Sequence, residues 1–176
     1  MNDLSYFLMK IRSKLSSHPK KVVVDYFRRK GMRIGADCTI CSNILTTEPY
    51  LIHLGDNVTI AGEVLFVTHD NSISKVMDGV TDLFGEIIIG DSCFIGNRAV
   101  LLYGITLADH IIVAAGSVVT KSFLTPGVII GGNPAQIIGS CKVFQEKNCQ
   151  KAFDLDHIPK KELSETILNS NKLVQR

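Results

Sequence analysis

The chain has 176 residues, 45% of them hydrophobic and 20% charged, with five cysteines and no tryptophan; this fits one folded domain with short appendages and excludes a disordered or collagenous chain. Nineteen Lys and Arg against 17 Asp and Glu leave a net charge of +2, and the odd cysteine count points to reduced thiols. No apolar run is long enough to cross a bilayer and the first residues lack the apolar core of a signal peptide, so a cytoplasmic location is expected.

Residues 1 to 33 come first and carry the charge asymmetry. They hold nine Lys and Arg against Asp3 and Asp25, whereas residues 34 to 176 hold ten against fifteen. The basic end reads either as a solvated helix face or as a contact with anionic lipid. Without a recognised motif or a series of stacking aromatics, nucleic acid is not an expected partner. Leu4, Phe7, Leu8, Ile11 and Leu15 fall on one helical face, and Ser17-His18-Pro19 restarts a helix that runs to Gly31. This helical pair is expected to cap the first, open coil of the repeat that begins at Ile34.

From Ile34 onward a six-residue period replaces the helical one. Its first positions are Ile34, Ile40, Leu54, Ile60, Phe66, Ile89, Ile95, Leu101, Leu107, Val113 and Val119, all apolar. The fifth positions are Cys38, Ile44, Val58, Val64, Asp70, Cys93, Ala99, Ile105, Ile111, Ser117 and Phe123, of which only Asp70 is charged. The second position is often Gly or Ala, as a tight turn requires. A strand of about six residues cannot bury its apolar side alone; three make a triangular coil, and stacked coils bury the first and fifth positions in one column. Eleven hexamers predict about four coils. The register breaks at residues 46 to 53 and again at 72 to 88, where a longer loop must leave the coil. Near the C-terminus, Pro159 opens a short helical pattern with Leu163, Ile167 and Leu168, followed by a polar tail.

The hexamer [LIV]-G-x-x-[small/apolar]-x, over roughly residues 20 to 140, resembles the hexapeptide-repeat acyltransferase family. Three segments sharpen the match to the branch that O-acetylates sugars, including lipopolysaccharide and capsule enzymes. YFRRKGMRIG (26 to 35) is similar to its lead-in to the coil, FVTHD (66 to 70) to its catalytic segment, and IVAAGSVVTK (112 to 121) with GVIIGGNPAQIIG (127 to 139) to its coenzyme A segment. The resemblance implies a mainly β fold, a left-handed parallel β-helix with an N-terminal helical cap and a short C-terminal helix. The left-handed sense comes from the family alone, since chain physics favours right-handed crossovers. Residues 1–33 would form the cap, 34–139 the β-helix with its inserted loop 72–88, and 140–176 a C-terminal extension.

The same resemblance implies an acetyl-coenzyme A dependent O-acetyltransferase acting on a sugar or surface glycan, with no metal, assembled as a homotrimer with active sites between subunits. His69 corresponds to the base that takes the proton of the acceptor hydroxyl, a task suited to an imidazole near neutral pH. Asp70 would orient that imidazole or carry charge near the acceptor. Asn43 stands at the second Asn of an N-x-N pair in the family's acceptor site, with Cys41 at the first; it is either an acceptor contact or an Asn stacked in a turn. The coenzyme contacts map to Asn97, Ala115, Thr120, Lys121, Asn133 and Pro134. Asn97 stands where Gly, Ala or Ser is commoner, so its implied contact is through the backbone. Lys121 either pairs with coenzyme phosphates or is solvated.

Other readings stay open on this basis. A xenobiotic acetyltransferase differs in its acceptor, which residues 72 to 88 would decide, and a non-catalytic hexapeptide scaffold would need neither His69 nor GSVVTK. Cys38 and Cys41 form a C-x-x-C with no second pair, and both fit the hexamer register, which argues against zinc or redox chemistry. His53, His69 and His110 lack the spacing of a three-histidine metal site, and no phosphate-binding glycine loop is present.

Overall fold

The structure, a computed structural model, describes residues 4–174. Two helices open the chain, α1 (Leu4–Leu15) and α2 (Pro19–Arg29), the second with Pro at its first turn. Gly31, at φ 112°, ends α2: its N–H donates to Arg28 O, and the Met32 N–H reaches back to Phe27 O, the paired bonds of a glycine-terminated helix. Val23, Val24, Tyr26 and Phe27 are buried, and α2 packs on the first strands, β1 (Arg33–Ile34) and β2 (Thr39–Ile40).

The apolar face of α1 does not enter the core. Leu4, Phe7, Leu8, Ile11 and Leu15 are 69, 59, 56, 43 and 84% exposed, while α1 packs against α2 through Met9 and Tyr6. Tyr6 meets Tyr26 and Phe27 at ring centroid distances of 6.0 and 6.4 Å, and Ser5 Oγ lies 2.9 Å from the Tyr26 hydroxyl. The aromatic pair on α2 thus takes the less apolar side of α1 and leaves its hydrophobic stripe outward.

Beyond β2 the chain winds through short strands that add to three parallel sheets in turn. The first sheet stacks β1, β3 (Ile52–Leu54), β8 (Ile87–Ile89) and β11 (Ile105–Leu107); the second stacks β2, β4 (Thr59–Ile60), β9 (Phe94–Ile95), β12 (Ile112–Val113) and β14 (Val128–Gly132); the third stacks β5 (Leu65–Val67), β10 (Val100–Leu102) and β13 (Val118–Val119). The four strands of the first sheet count four coils, as the hexamer total predicts. All eleven first-position side chains are buried, and so is every fifth-position one except Asp70. Each fully buried Ile or Leu contributes on the order of 1.5–3 kcal/mol, so the column is the main source of stability.

The corners explain the small residues. At the corner between the first and second sheets, a Cβ on Gly90 would stand 2.8 Å from Asp109 N. Asp side chains tie successive coils there: Asp56 accepts from Ala36 N at 2.6 Å, Asp91 from Asp56 N at 2.8 Å, and Asp109 from Asp91 N at 2.8 Å. The residue after each is left-handed, Asn57, Ser92 and His110 having φ of 54, 55 and 58°, and so is Asp37 after Ala36, at 53°.

Between β5 and β8 the chain leaves the coil through β6 (His69–Asp70) and β7 (Leu83–Phe84), which pair antiparallel with His69 opposite Phe84 and a short 3-10 turn at Asn71–Lys75 between them. After β14 the chain turns back as β15 (Ala135–Ser140), antiparallel to it, then forms α3 (Cys141–Asn148), whose N-cap Ser140 accepts from Val143 N at 3.3 Å, and later α4 (Leu163–Leu168). The sequence reading predicts α4, beginning a turn earlier at Pro159, and does not predict α3.

Candidate active site

The corner that follows the third sheet carries His69, the residue that the resemblance assigns as base. His69 leaves the coil directly after β5, half-exposed, with its ring 5.9 Å from that of Phe84. Its Nδ1 lies 2.8 Å from Oε2 of Glu48, a carboxylate almost wholly buried at the equivalent corner one coil below. Glu48 is surrounded by hydroxyls. Thr68 Oγ1 donates to Oε2 at 2.7 Å and Thr46 Oγ1 at 3.5 Å, and the Thr47 hydroxyl donates to Oε1. Burial alone would raise the Glu48 pKa, but the donors from Thr47, Thr68 and His69 outweigh it and lower the value to about 2.

That ionisation fixes the chemistry of the ring. An ionised carboxylate only accepts, so the proton of a neutral His69 must sit on Nδ1, which leaves the Nε2 lone pair to take a proton.

Asp70 does not hold the ring. Its Oδ1 accepts from Ser72 N at 2.8 Å and its Oδ2 from the Tyr103 hydroxyl at 3.2 Å. The Ser72 amide, foremost, keeps its carboxyl below the ordinary value. The role open to Asp70 in orienting the imidazole therefore belongs to Glu48, and Asp70 anchors the 3-10 turn to the next coil.

His69 and Asn43 line one cleft of about 500 Å³, together with Tyr26, Phe27, Lys30, Met32, Ile44, Leu45, Thr46, Thr47 and Pro49. Its lining is largely apolar and aromatic, and its polar groups are the imidazole, an amide, the hydroxyls of Tyr26, Thr46 and Thr47 and the Lys30 ammonium. Buried Ser42 ties the chain to the turn between β4 and β5, donating to Ala61 O at 2.6 Å and accepting from Val64 N at 2.7 Å, and neighbouring Asn43 is exposed. Such a cleft suits a compact polyhydroxylated ring with one apolar face.

The other predicted residues lie elsewhere. Asn97 and Ala115 are stacked at the corner between the second and third sheets, where Gly116 N donates to Asn97 O at 2.8 Å. There Asn97 Oδ1 accepts from Gly62 N at 2.8 Å, repeating the Asp pattern of the other corner. The next coil offers Ala115, whose methyl accepts nothing, so the side-chain ladder stops and the Asn97 N–H is left at the edge. Thr120 and Lys121 follow β13, in the same column as His69 and two coils on. Lys121 Nζ donates to Gln136 Oε1 at 3.2 Å and lies over the Phe123 ring, beside a cleft of about 490 Å³. Asn133 and Pro134 form the exposed two-residue tip between β14 and β15. A backbone donor with no side-chain ladder partner, the small residues Ala115 and Gly116 on the next coil and a cation farther up can hold an extended chain bearing amides and phosphates.

Within one chain the structure brings His69, Asn43 and Glu48 together and leaves Asn97 and Ala115 across the face of the third sheet. Glu48 is the residue that sequence reasoning missed; its one signal is an acid in the Thr46-Thr47-Glu48 run where the hexamer register fails. His53, His110, Cys38 and Cys93 have structural surroundings. His53 Nε2 stands 3.2 Å from Glu86 Oε1, and His110 occupies a left-handed turn. Cys38 and Cys93 are column residues whose thiols burial pushes up, that of Cys93 to about 11. Among the described residues no three His, Cys, Asp or Glu converge as metal ligands.

A family profile described as the hexapeptide repeat of succinyl-transferase matches residues 86–121. Protein CapG of Staphylococcus aureus is 37% identical over 133 residues, 73% of this chain and 77% of CapG. Galactoside O-acetyltransferase of Escherichia coli K12 is 29% identical over 108 residues, 61% of this chain and only 53% of that enzyme, so the chain spans about half of its length. Among solved structures, a maltose O-acetyltransferase from Clostridium difficile 630 superposes with a TM-score of 0.55 at 25% identity, covering 76% of this chain and 84% of the other.

Proposed function

Since the chain belongs to the hexapeptide-repeat acyltransferase family, we propose that it is an O-acetyltransferase that moves the acetyl group of acetyl-coenzyme A onto a hydroxyl of a sugar or surface glycan. The observation that carries the proposal is the His69–Glu48 pair at the mouth of the cleft that Asn43 lines. The names of the galactoside and maltose O-acetyltransferases support the substrate class.

His69 Nε2 accepts the proton of the acceptor hydroxyl as that oxygen attacks, and the Nδ1–H bond to Glu48 steadies the ring while it is charged. When bound, the coenzyme supplies the acyl thioester, whose sulfur departs with the proton that Nε2 held. Asn43 binds the acceptor from the cleft wall. The Asn97 N–H and the exposed backbone at Ala115 receive the pantetheine arm, and Lys121, with the Thr120 hydroxyl beside it, meets the phosphates once it releases Gln136. Asn133 and Pro134 close over the far end. The coil is read as left-handed, with residues 1–33 as its cap, 34–139 as the solenoid and 140–176 as an extension. His69 of one subunit then faces Asn97 and Ala115 of the next in a homotrimer.

The test measures thiol release from acetyl-coenzyme A against a panel of nucleotide sugars and glycans, together with calorimetric titration of the coenzyme. Wild type binds about one coenzyme per subunit, and His69→Ala binds it equally well but transfers roughly 10²–10⁴-fold more slowly. Unchanged turnover in His69→Ala sinks the base assignment, and absence of binding at millimolar coenzyme leaves the scaffold reading.

A further inference from the structure

We propose that α1 docks on the surface of an anionic lipid bilayer, lying along it with Leu4, Phe7, Leu8, Ile11 and Leu15 in the boundary between headgroups and acyl chains. At 100° per residue these five side chains fall within an arc of about 100°, and all of them are exposed. The opposite side of the helix, with Tyr6 and Met9, is the side that α2 covers. The stripe is therefore not a core face awaiting its own chain; the chain has packed α1 by its other side.

The choice of occupant rests on charge. Lys10 and Lys14 border the stripe on one side and Arg12 on the other, where their long stems let the charged ends rise to headgroup level while the apolar side chains enter. Lys20, Lys21, Arg28, Arg29, Lys30 and Arg33 follow in the chain, and all nine basic residues are exposed, although Arg28 is held by the Ile34 and Gly35 carbonyls. Asp25 is the one acidic residue between positions 4 and 33, and it is paired with Arg28 at 3.3 Å. A second copy of the same face would set these cations against their like, whereas anionic headgroups attract each by about 1 kcal/mol near the surface. With 12 residues, α1 is about 18 Å long and lies on a membrane rather than crossing it; none of the described helices is long and apolar enough to span one.

The test sediments the full chain with vesicles of phosphatidylglycerol and phosphatidylcholine, and with phosphatidylcholine alone. Wild type is expected to partition at least tenfold more strongly onto the anionic vesicles, and about 0.5 M salt should weaken that binding. The double variants Leu8→Asp/Ile11→Asp and Lys10→Glu/Lys14→Glu should each lose at least tenfold in partition, with unchanged melting temperature and unchanged mass by light scattering. Failure of wild type to bind anionic vesicles overturns the proposal. Binding that survives Leu8→Asp/Ile11→Asp also overturns it, because charge alone would then suffice. A smaller assembly in that variant would place a second copy on α1 instead.

Discussion

Replacing Glu48 with Gln keeps the size of the side chain but not its restriction to accepting hydrogen bonds, so either ring nitrogen of His69 can then carry the proton. Turnover of Glu48→Gln should fall about 10–100-fold while coenzyme affinity in the calorimeter stays the same; a loss in affinity alone would mean that Glu48 only shapes the fold. Its pH behaviour has a definite sign. A carboxyl held at about 2 against an ordinary 4.5 contributes stability that is complete above pH 4.5 and is lost as pH falls toward 2. The stability gap between wild type and Glu48→Gln in urea should therefore be flat at neutral pH and close below about pH 4.5. His69 was legible because a motif surrounds it. Glu48 was not, because it is 21 residues away in an irregular stretch and reaches the ring only when one coil settles on another.

Among elements, the hexamer columns were almost fully legible, since burial at every sixth residue is what makes the coil fold. Two parts were not. Periodicity grouped Leu4, Phe7, Leu8, Ile11 and Leu15 correctly, but it cannot say which side of a helix its neighbour will take; Tyr26 and Phe27 decided that. The β14–β15 hairpin abandons the six-residue period, and with it the only regular signal in this part of the chain. The ladder at the Asn97 corner offers a test of the coenzyme edge. Ala115→Asp would supply the missing acceptor and occupy the Asn97 N–H, adding about 1 kcal/mol or less to stability. The apparent affinity for acetyl-coenzyme A should drop roughly tenfold with no fall in melting temperature. Equal affinity in the variant would exclude the Asn97 N–H as a coenzyme donor.

For the whole molecule, the proposed site is shared between subunits, because within one chain His69 and the Asn97–Ala115 edge flank opposite sides of the third sheet. Light scattering should give a mass about three times the 19.3 kDa of the subunit, and turnover per subunit should collapse on dilution as that assembly comes apart. A monomer with full turnover would refute the shared site. The strand stacking also constrains how such a protein can change. Glu48 and His69 sit on consecutive coils, so the reach of their bond is set by the interval between hydrogen-bonded strands, about 4.8 Å. The backbone serves as a ruler for the His69–Glu48 pair. Coils gained or lost beyond that interval alter the length of the molecule and leave the pair intact, whereas a single coil inserted within it would separate imidazole from carboxylate while preserving every packing rule of the solenoid.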